Sequence, residues 1–187
     1  MRKIQEILLN SEEYPEKLRN IKNPPKKLYA IGNVKLLKKP SLAIVGTRHI
    51  TDYGIKNCEY FASEIIKKDI PIVSGMALGT DSVAHKTALE YGGETIAVLG
   101  SGFENIYPQE NLGLFESIIE RKGLIVTEYP PQTRVKSEQF LERNRIVSGL
   151  SEGVLIIEAA YRSGTSVTAK LAKRARQSRN GTSRKIR

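Results

Sequence analysis

The chain has 187 residues, enough for one domain and an appendage, and its 40% of hydrophobic residues are sufficient for a core. One cysteine and two histidines exclude an intramolecular disulfide and argue against a metal site built on cysteine or histidine. The net charge is +10, but residues 170–187 hold eight Lys or Arg and no acid, which leaves 22 basic against 20 acidic residues elsewhere.

Residues 1–40 are predicted to form a small helical cap on the main domain. Ile4, Ile7 and Leu8 indicate a short helix, "NSEEYPEKL" indicates another turn or two, and "NPPKK" breaks the chain before an apolar piece at 28–31. The N-terminus lacks the apolar core of a signal peptide, and no apolar run approaches the ~18 residues that span a membrane. We therefore expect a cytoplasmic protein without membrane contact.

From residue 41 onward, apolar runs of strand length alternate with helical stretches. The expected strands are 42–45, 71–74, 95–99, 124–127 and 154–157, and the expected helices are about 52–68, 80–91, 109–121 and 137–149. The runs are continuously apolar, which is typical of parallel strands buried on both faces. This pattern predicts an α/β domain over 41–172 with a doubly wound, mostly parallel sheet. The basic segment 173–187 is expected to be a disordered tail.

Ligands bind such sheets at the carboxyl ends of the strands, so the loops that follow the strands are the candidate site. Gly46, Thr47 and Arg48 follow the first strand, and we expect free backbone N–H groups there at a helix start, beside a guanidinium suited to phosphate. The alternative is a glycine turn that carries a surface arginine.

The second and third loops are rich in glycine. Gly75 and Gly79 permit close backbone approach, and Thr80 or Asp81 is a candidate N-cap of the next helix. His85 lies one turn into that helix and is more often structural than catalytic in such a place. The third loop, "GSGF" followed by "NIYPQEN", suits a plain connection as well as a ligand contact.

The fourth and fifth loops add an aromatic ring and more basic groups. Phe140, Arg143 and Asn144 share one helix face, and a ring beside guanidinium and amide groups suits single-stranded nucleic acid. The fifth loop suggests a phosphate cradle without Walker spacing, and it contains Ser163, Gly164, Thr165 and Lys170. Glu158 is the one acid there, and a carboxylate without a partner is weak evidence for catalysis.

With the loops assembled, the chain resembles the DNA-processing protein A family, also called DprA or Smf. The matching stretches are "AIVGTR", "VSGMALGTDSVAH", "IAVLGSGFENIYPQEN", "TEYPPQT", "FLERNRIVSGLSEGVLIIEAAYRSGT" and "TAKLAK". They run in the family's order over about residues 42–173. After "TAKLAK" the family would continue with a glycine turn and another strand, and this chain departs from that pattern.

The resemblance implies a Rossmann-like fold and a single-stranded-DNA-binding protein of natural transformation that protects incoming strands and loads the RecA recombinase. It further implies a homodimer, no enzymatic activity, no cofactor and no metal. The residues that match the family's DNA pocket are Arg48, Gly75, Phe140, Arg143, Asn144, Ser163, Gly164, Thr165 and Lys170.

Two other functions stay open from the sequence. One is a phosphoribohydrolase-like enzyme of related fold, whose PGGxGTxxE loop corresponds here to "EAAYRSGTSVTA", without the paired glycines and with Glu158 as substitute acid. The other is a nucleotide sensor that uses the same crevice without turnover.

Overall fold

The computed structural model describes residues 3–158. Five strands form the parallel part of the sheet, as expected from the continuously apolar runs. They are β3 (Leu42–Gly46), β4 (Ile72–Ser74), β5 (Thr95–Val98), β6 (Leu124–Thr127) and β7 (Gly153–Ile157). Each lies within one residue of its predicted bounds, which confirms the α/β class and the mostly parallel sheet.

Four helices connect these strands. They are α2 (Asp52–Ile66), α3 (Thr80–Glu90), α4 (Leu112–Glu120) and α5 (Ser137–Leu150). A 3₁₀ turn, Gln109–Asn111, precedes α4, so the predicted helix at 109–121 begins as a tighter turn. Within residues 3–158, every helix is too short or too polar to cross a membrane.

The predicted helical cap is wrong for most of residues 1–40. β1 (Gln5–Leu8) and β2 (Lys27–Gly32) are strands, and only α1 (Glu16–Arg19) and the 3₁₀ turn Val34–Lys38 are helical. β1 pairs antiparallel with β2, and β2 pairs antiparallel with β6, so this segment extends the sheet. Ile4, Ile7 and Leu8 have helical spacing, but so short a segment fits either structure, and its pairing with β2 makes it a strand.

The seven strands lie in the order β1-β2-β6-β5-β4-β3-β7. The chain steps outward from β3 through β4 and β5 to β6, and α5 then carries it back to β7 on the other side of β3. This reversal is the topological switch point at which open α/β sheets bind their ligands.

Both faces of the sheet are covered. On one face α5 and α1 pack over the strands around Leu18, Val98 and Ile146. On the other face α2, α3 and α4 pack around Ile44, Ala84 and Phe115. The loops at the carboxyl edge are thus held by elements on both sides.

Candidate functional site

One cleft of about 280 Å³ lies at the carboxyl edge of the sheet. Its walls are the loop after β3 (47–51, the β3–α2 loop), the loop after β4 (75–79, the β4–α3 loop) and the first half of α5. Five predicted site residues line it together, and they are Arg48, Gly75, Phe140, Arg143 and Asn144. Ser163, Gly164, Thr165 and Lys170, and the predicted tail at 173–187, lie outside the described residues.

Arg48 is the exposed cation of the cleft. Its guanidinium carbon lies over the Phe140 ring, 5.6 Å from the centroid, which is within cation–π range. None of residues 3–158 forms an ion pair with it. The guanidinium therefore keeps donors for a ligand while the Phe140 ring orients it.

Arg143, by contrast, is buried in the floor of the cleft, with 4% of its surface exposed. Its Nη1 donates to the carbonyl oxygens of Gly75 and Val98, which joins α5 to the ends of β4 and β5. Burial lowers the pKa of this guanidinium, and the positive charge of Arg48 acts in the same direction. A Cβ at position 75 would overlap the guanidinium, so glycine is required there for this contact.

Asp81 places a carboxyl group at the same floor. It is buried and accepts a hydrogen bond from the backbone N–H of Ala77 at 3.2 Å. Burial raises the pKa of the Asp81 carboxyl, and the nearby charge of Arg143 opposes that shift. The predicted N-cap at Thr80 or Asp81 is wrong, because the N-cap is Gly79 and the Asp81 side chain ties down the β4–α3 loop instead.

The same loop is fixed from its other side. The side-chain amide of Asn111 donates to the Met76 carbonyl at 2.8 Å, and the Ser82 hydroxyl donates to the Ala77 carbonyl at 2.7 Å. Gly79 has φ +74°, and a Cβ there would overlap the Thr47 carbonyl. The two loops that form one wall are thus packed against each other.

The start of α2 is occupied by a carboxylate of the chain itself. The helix begins at Asp52 with Thr51 as N-cap, so the expectation of free N–H groups at a helix start over residues 46–48 is wrong. Glu158 at the end of β7 accepts hydrogen bonds from the Thr51 N–H at 2.9 Å and from the Thr51 hydroxyl. Those bonds lower the pKa of the Glu158 carboxyl. The Thr51 N–H at the start of α2 is therefore already bonded within the chain.

His85 is a structural residue between α3 and the sheet. It is fully buried, and its Nδ1 lies 2.7 Å from the Thr95 hydroxyl. That hydroxyl donates to the Ile72 carbonyl, so Nδ1 carries the proton and donates to Thr95. Burial lowers the pKa of His85 to about 3, and Arg143 adds to the shift.

This burial predicts a loss of stability in mild acid. The histidine of the unfolded chain titrates near pH 6.5, whereas the buried histidine of the folded chain stays neutral at that pH. Protons therefore bind preferentially to the unfolded chain, and the free energy of unfolding decreases as the pH falls below 6.5. Between pH 7 and pH 5 the free energy of unfolding should fall by about 2 kcal/mol more in the native chain than in His85→Gln. Urea titrations of both proteins at the two pH values measure this difference. Equal pH dependence of the two proteins would contradict it.

Sequence reasoning missed part of the cleft. Ala77, Ser137, Leu141 and Val147 also line it. A smaller adjoining pocket adds Leu78, Tyr107 and Pro108. Tyr107 belongs to "NIYPQEN", in one of the candidate loops, but no local pattern indicated that its ring lies against Phe140 on α5. No group of three His, Cys, Asp or Glu side chains among residues 3–158 is placed to hold a metal ion.

Comparison with known proteins gives one consistent result. The model of the family described as DNA recombination-mediator protein A matches residues 5–180. The DNA processing protein DprA of Bacillus subtilis is 40% identical over 167 residues, which cover 89% of this chain and 56% of the Bacillus protein. The chain thus spans about half the length of this relative.

Solved structures agree in fold. DNA processing protein A from Streptococcus pneumoniae matches with a TM-score of 0.87 and 36% identity, covering 92% of this chain and 60% of the other. DNA processing protein A from Helicobacter pylori, a structure described for its single-stranded DNA binding mode, matches with a TM-score of 0.84 and 36% identity. That match covers 94% of this chain and 80% of the Helicobacter chain.

Proposed function

The chain belongs to the DNA recombination-mediator protein A family, and we propose that its cleft binds single-stranded DNA. The observation that best supports this proposal is the position of the exposed Arg48 guanidinium over the Phe140 ring, in one cleft at the carboxyl edge of the sheet. A guanidinium holds a backbone phosphate, and an aromatic ring stacks a base of any sequence.

The proposed substrate is single-stranded because the cleft uses a base face. In a duplex the faces of the bases are stacked on one another, so a ring such as Phe140 has nothing to contact there. A binding mode built on phosphates and stacking is tolerant of sequence and weakens as salt rises. This proposal assigns Arg48, Phe140 and Asn144 to DNA contacts, with Arg143 supplying positive charge from the floor.

The proposal extends to the wider role that family membership supports. We assign the chain to the protection of incoming strands in natural transformation and to the loading of RecA recombinase onto them. In this proposal the protein acts in the cytoplasm as a homodimer and as a binding protein without an enzymatic activity. Ser163, Gly164, Thr165 and Lys170 are proposed to complete the phosphate contacts.

The enzymatic alternative depended on Glu158 as its acid. Two hydrogen bonds from Thr51 hold that carboxylate at the start of α2. A parallel titration with oligo-dT and AMP, together with a hydrolysis assay on nucleoside monophosphates, tests the proposal. We expect binding of oligo-dT and no turnover. AMP binding without oligo-dT binding would support the sensor instead, and turnover that is lost in Glu158→Gln would support the enzyme.

Phe140→Ala is expected to weaken binding of oligo-dT roughly tenfold, because base–aromatic stacking contributes about 1–3 kcal/mol per base. Phe61→Ala is the matched control, since Phe61 is 40% exposed on α2 and does not line the cleft. Fluorescence anisotropy of a labelled oligo-dT measures both dissociation constants. Equal affinities of the two variants for oligo-dT would show that Phe140 does not contribute to DNA binding.

A further inference from the structure

Tyr107 stands at the mouth of the cleft without a part in the site described so far. It belongs to the loop between β5 and the 3₁₀ turn before α4 (99–108, the β5–α4 loop), and 49% of its surface is exposed. Its ring centroid lies 5.6 Å from that of Phe140, with 45° between the ring planes. Tyr107 also lines the small pocket beside the cleft, together with Arg48, Leu78 and Phe140.

The Phe140 ring has contacts within the protein that hold it in place. The Arg48 guanidinium lies over it, and a Cβ at Gly100 would come within 2.9 Å of its Cδ1 atom, so this edge of the ring packs on that backbone. The Tyr107 ring lies next to the Phe140 ring and is itself 49% exposed. Tyr107 therefore adds a second exposed aromatic surface at the mouth of the cleft, beside that of Phe140.

The loop that carries Tyr107 is held in place. The backbone N–H groups of Gly102 and Glu104 each donate to carbonyls of the segment after β6, those of Thr133 and Pro131, at 3.0 Å. Phe103 is buried in the core beneath the loop. A ring on a fixed backbone loses little conformational entropy when a ligand stacks on it.

We propose that Tyr107 is a second base-stacking residue, which binds the nucleobase next to the one at Phe140. This inference rests on the proposed function and adds one nucleotide position to it. Nucleotides in a duplex strand advance about 3.4 Å each, and an unstacked strand spaces its bases further apart, so rings 5.6 Å apart suit neighbouring bases. Stacking uses the π-face that every base has, so the position is tolerant of sequence.

The absence of tryptophan from the chain makes a direct test available. Tyr107→Trp places a single tryptophan at the proposed position, and titration with oligo-dT should quench its fluorescence as a base stacks on it. Tyr91→Trp is the control, because Tyr91 is similarly exposed, at 58%, and lines neither the cleft nor the small pocket. An abasic deoxyribose-phosphate oligomer of equal length should leave the fluorescence of both variants unchanged.

A second variant tests the same position without the larger tryptophan side chain. Tyr107→Leu should weaken oligo-dT binding at least fivefold, leave binding of the abasic oligomer unchanged and preserve the salt dependence, because no phosphate contact is removed. Tyr107→Phe should bind as the native chain does.

Binding of oligo-dT by the native chain separates the stacking role of Tyr107 from the proposed function of the cleft. If the native chain binds oligo-dT, while Tyr107→Trp is not quenched and Tyr107→Leu binds within twofold of native, the stacking role of Tyr107 is overturned alone. If the native chain binds no oligo-dT, this result contradicts both the proposed function and the stacking role of Tyr107.

Discussion

Arg143→Ala is expected to lower the free energy of unfolding by about 3 kcal/mol, since it removes charge-assisted hydrogen bonds to two carbonyls in a buried place. The two acceptors, Gly75 and Val98, lie at the ends of neighbouring strands, and Arg143, whose guanidinium donates to both, is 4% exposed. The loss also removes a positive charge that acts on the buried Asp81 carboxyl. For a chain of this length the melting temperature should fall by roughly 6–12 °C, and a thermal melt measures this.

Arg143→Lys is the matched control for charge. Lysine keeps the positive charge but lacks the planar fork of guanidinium donors, so this variant should melt between the native chain and Arg143→Ala. If Arg143→Ala melts within about 2 °C of native, which corresponds to at most about 1 kcal/mol, the buried guanidinium does not hold the floor of the cleft.

Arg48→Glu is expected to weaken binding of oligo-dT roughly a hundredfold, because it replaces a phosphate donor with a repelling charge in the cleft. Stability should change little, since Arg48 is exposed and none of residues 3–158 pairs with it in an ion pair. The salt dependence of binding should become shallower by about one phosphate contact. Anisotropy titrations of labelled oligo-dT at several salt concentrations measure both effects.

Lys68→Glu makes the same change in net charge at a distant place. Lys68 is exposed beyond the end of α2, and the helix separates it from the cleft by roughly 22 Å. Equal losses in Arg48→Glu and Lys68→Glu would mean that overall charge, rather than the cleft, determines binding.

The parallel strands could be predicted from the sequence because each of them contains a local apolar run. Residues 124–126 are all apolar and form most of β6, and the other four parallel strands likewise contain a short apolar run. β1 carries no such signal, because Ile7 is buried there while Leu8 is exposed at an edge. Its structure depends on pairing with β2, which a local pattern does not contain.

For the site, the sequence predicted which loops meet but not how their side chains pair. Arg48, Phe140 and Arg143 line one cleft, as their positions after the strands and on one helix face indicated. That Arg143 turns inward to Gly75, and that Glu158 occupies the start of α2, depends on atoms 68 and 107 residues apart along the chain. Tyr107 was missed for the same reason.

Single-stranded DNA binding in the cleft is tested by comparing the affinities of one variant of the 187-residue chain for single- and double-stranded DNA. The seven Lys and Arg residues within 173–187 are replaced by Gln, because a run of positive charge binds DNA without any cleft. We expect this variant still to bind oligo-dT, roughly tenfold more tightly than a duplex of equal length, because the duplex lacks the stacking contacts. Loss of oligo-dT binding, or equal affinity for the two forms, would contradict it.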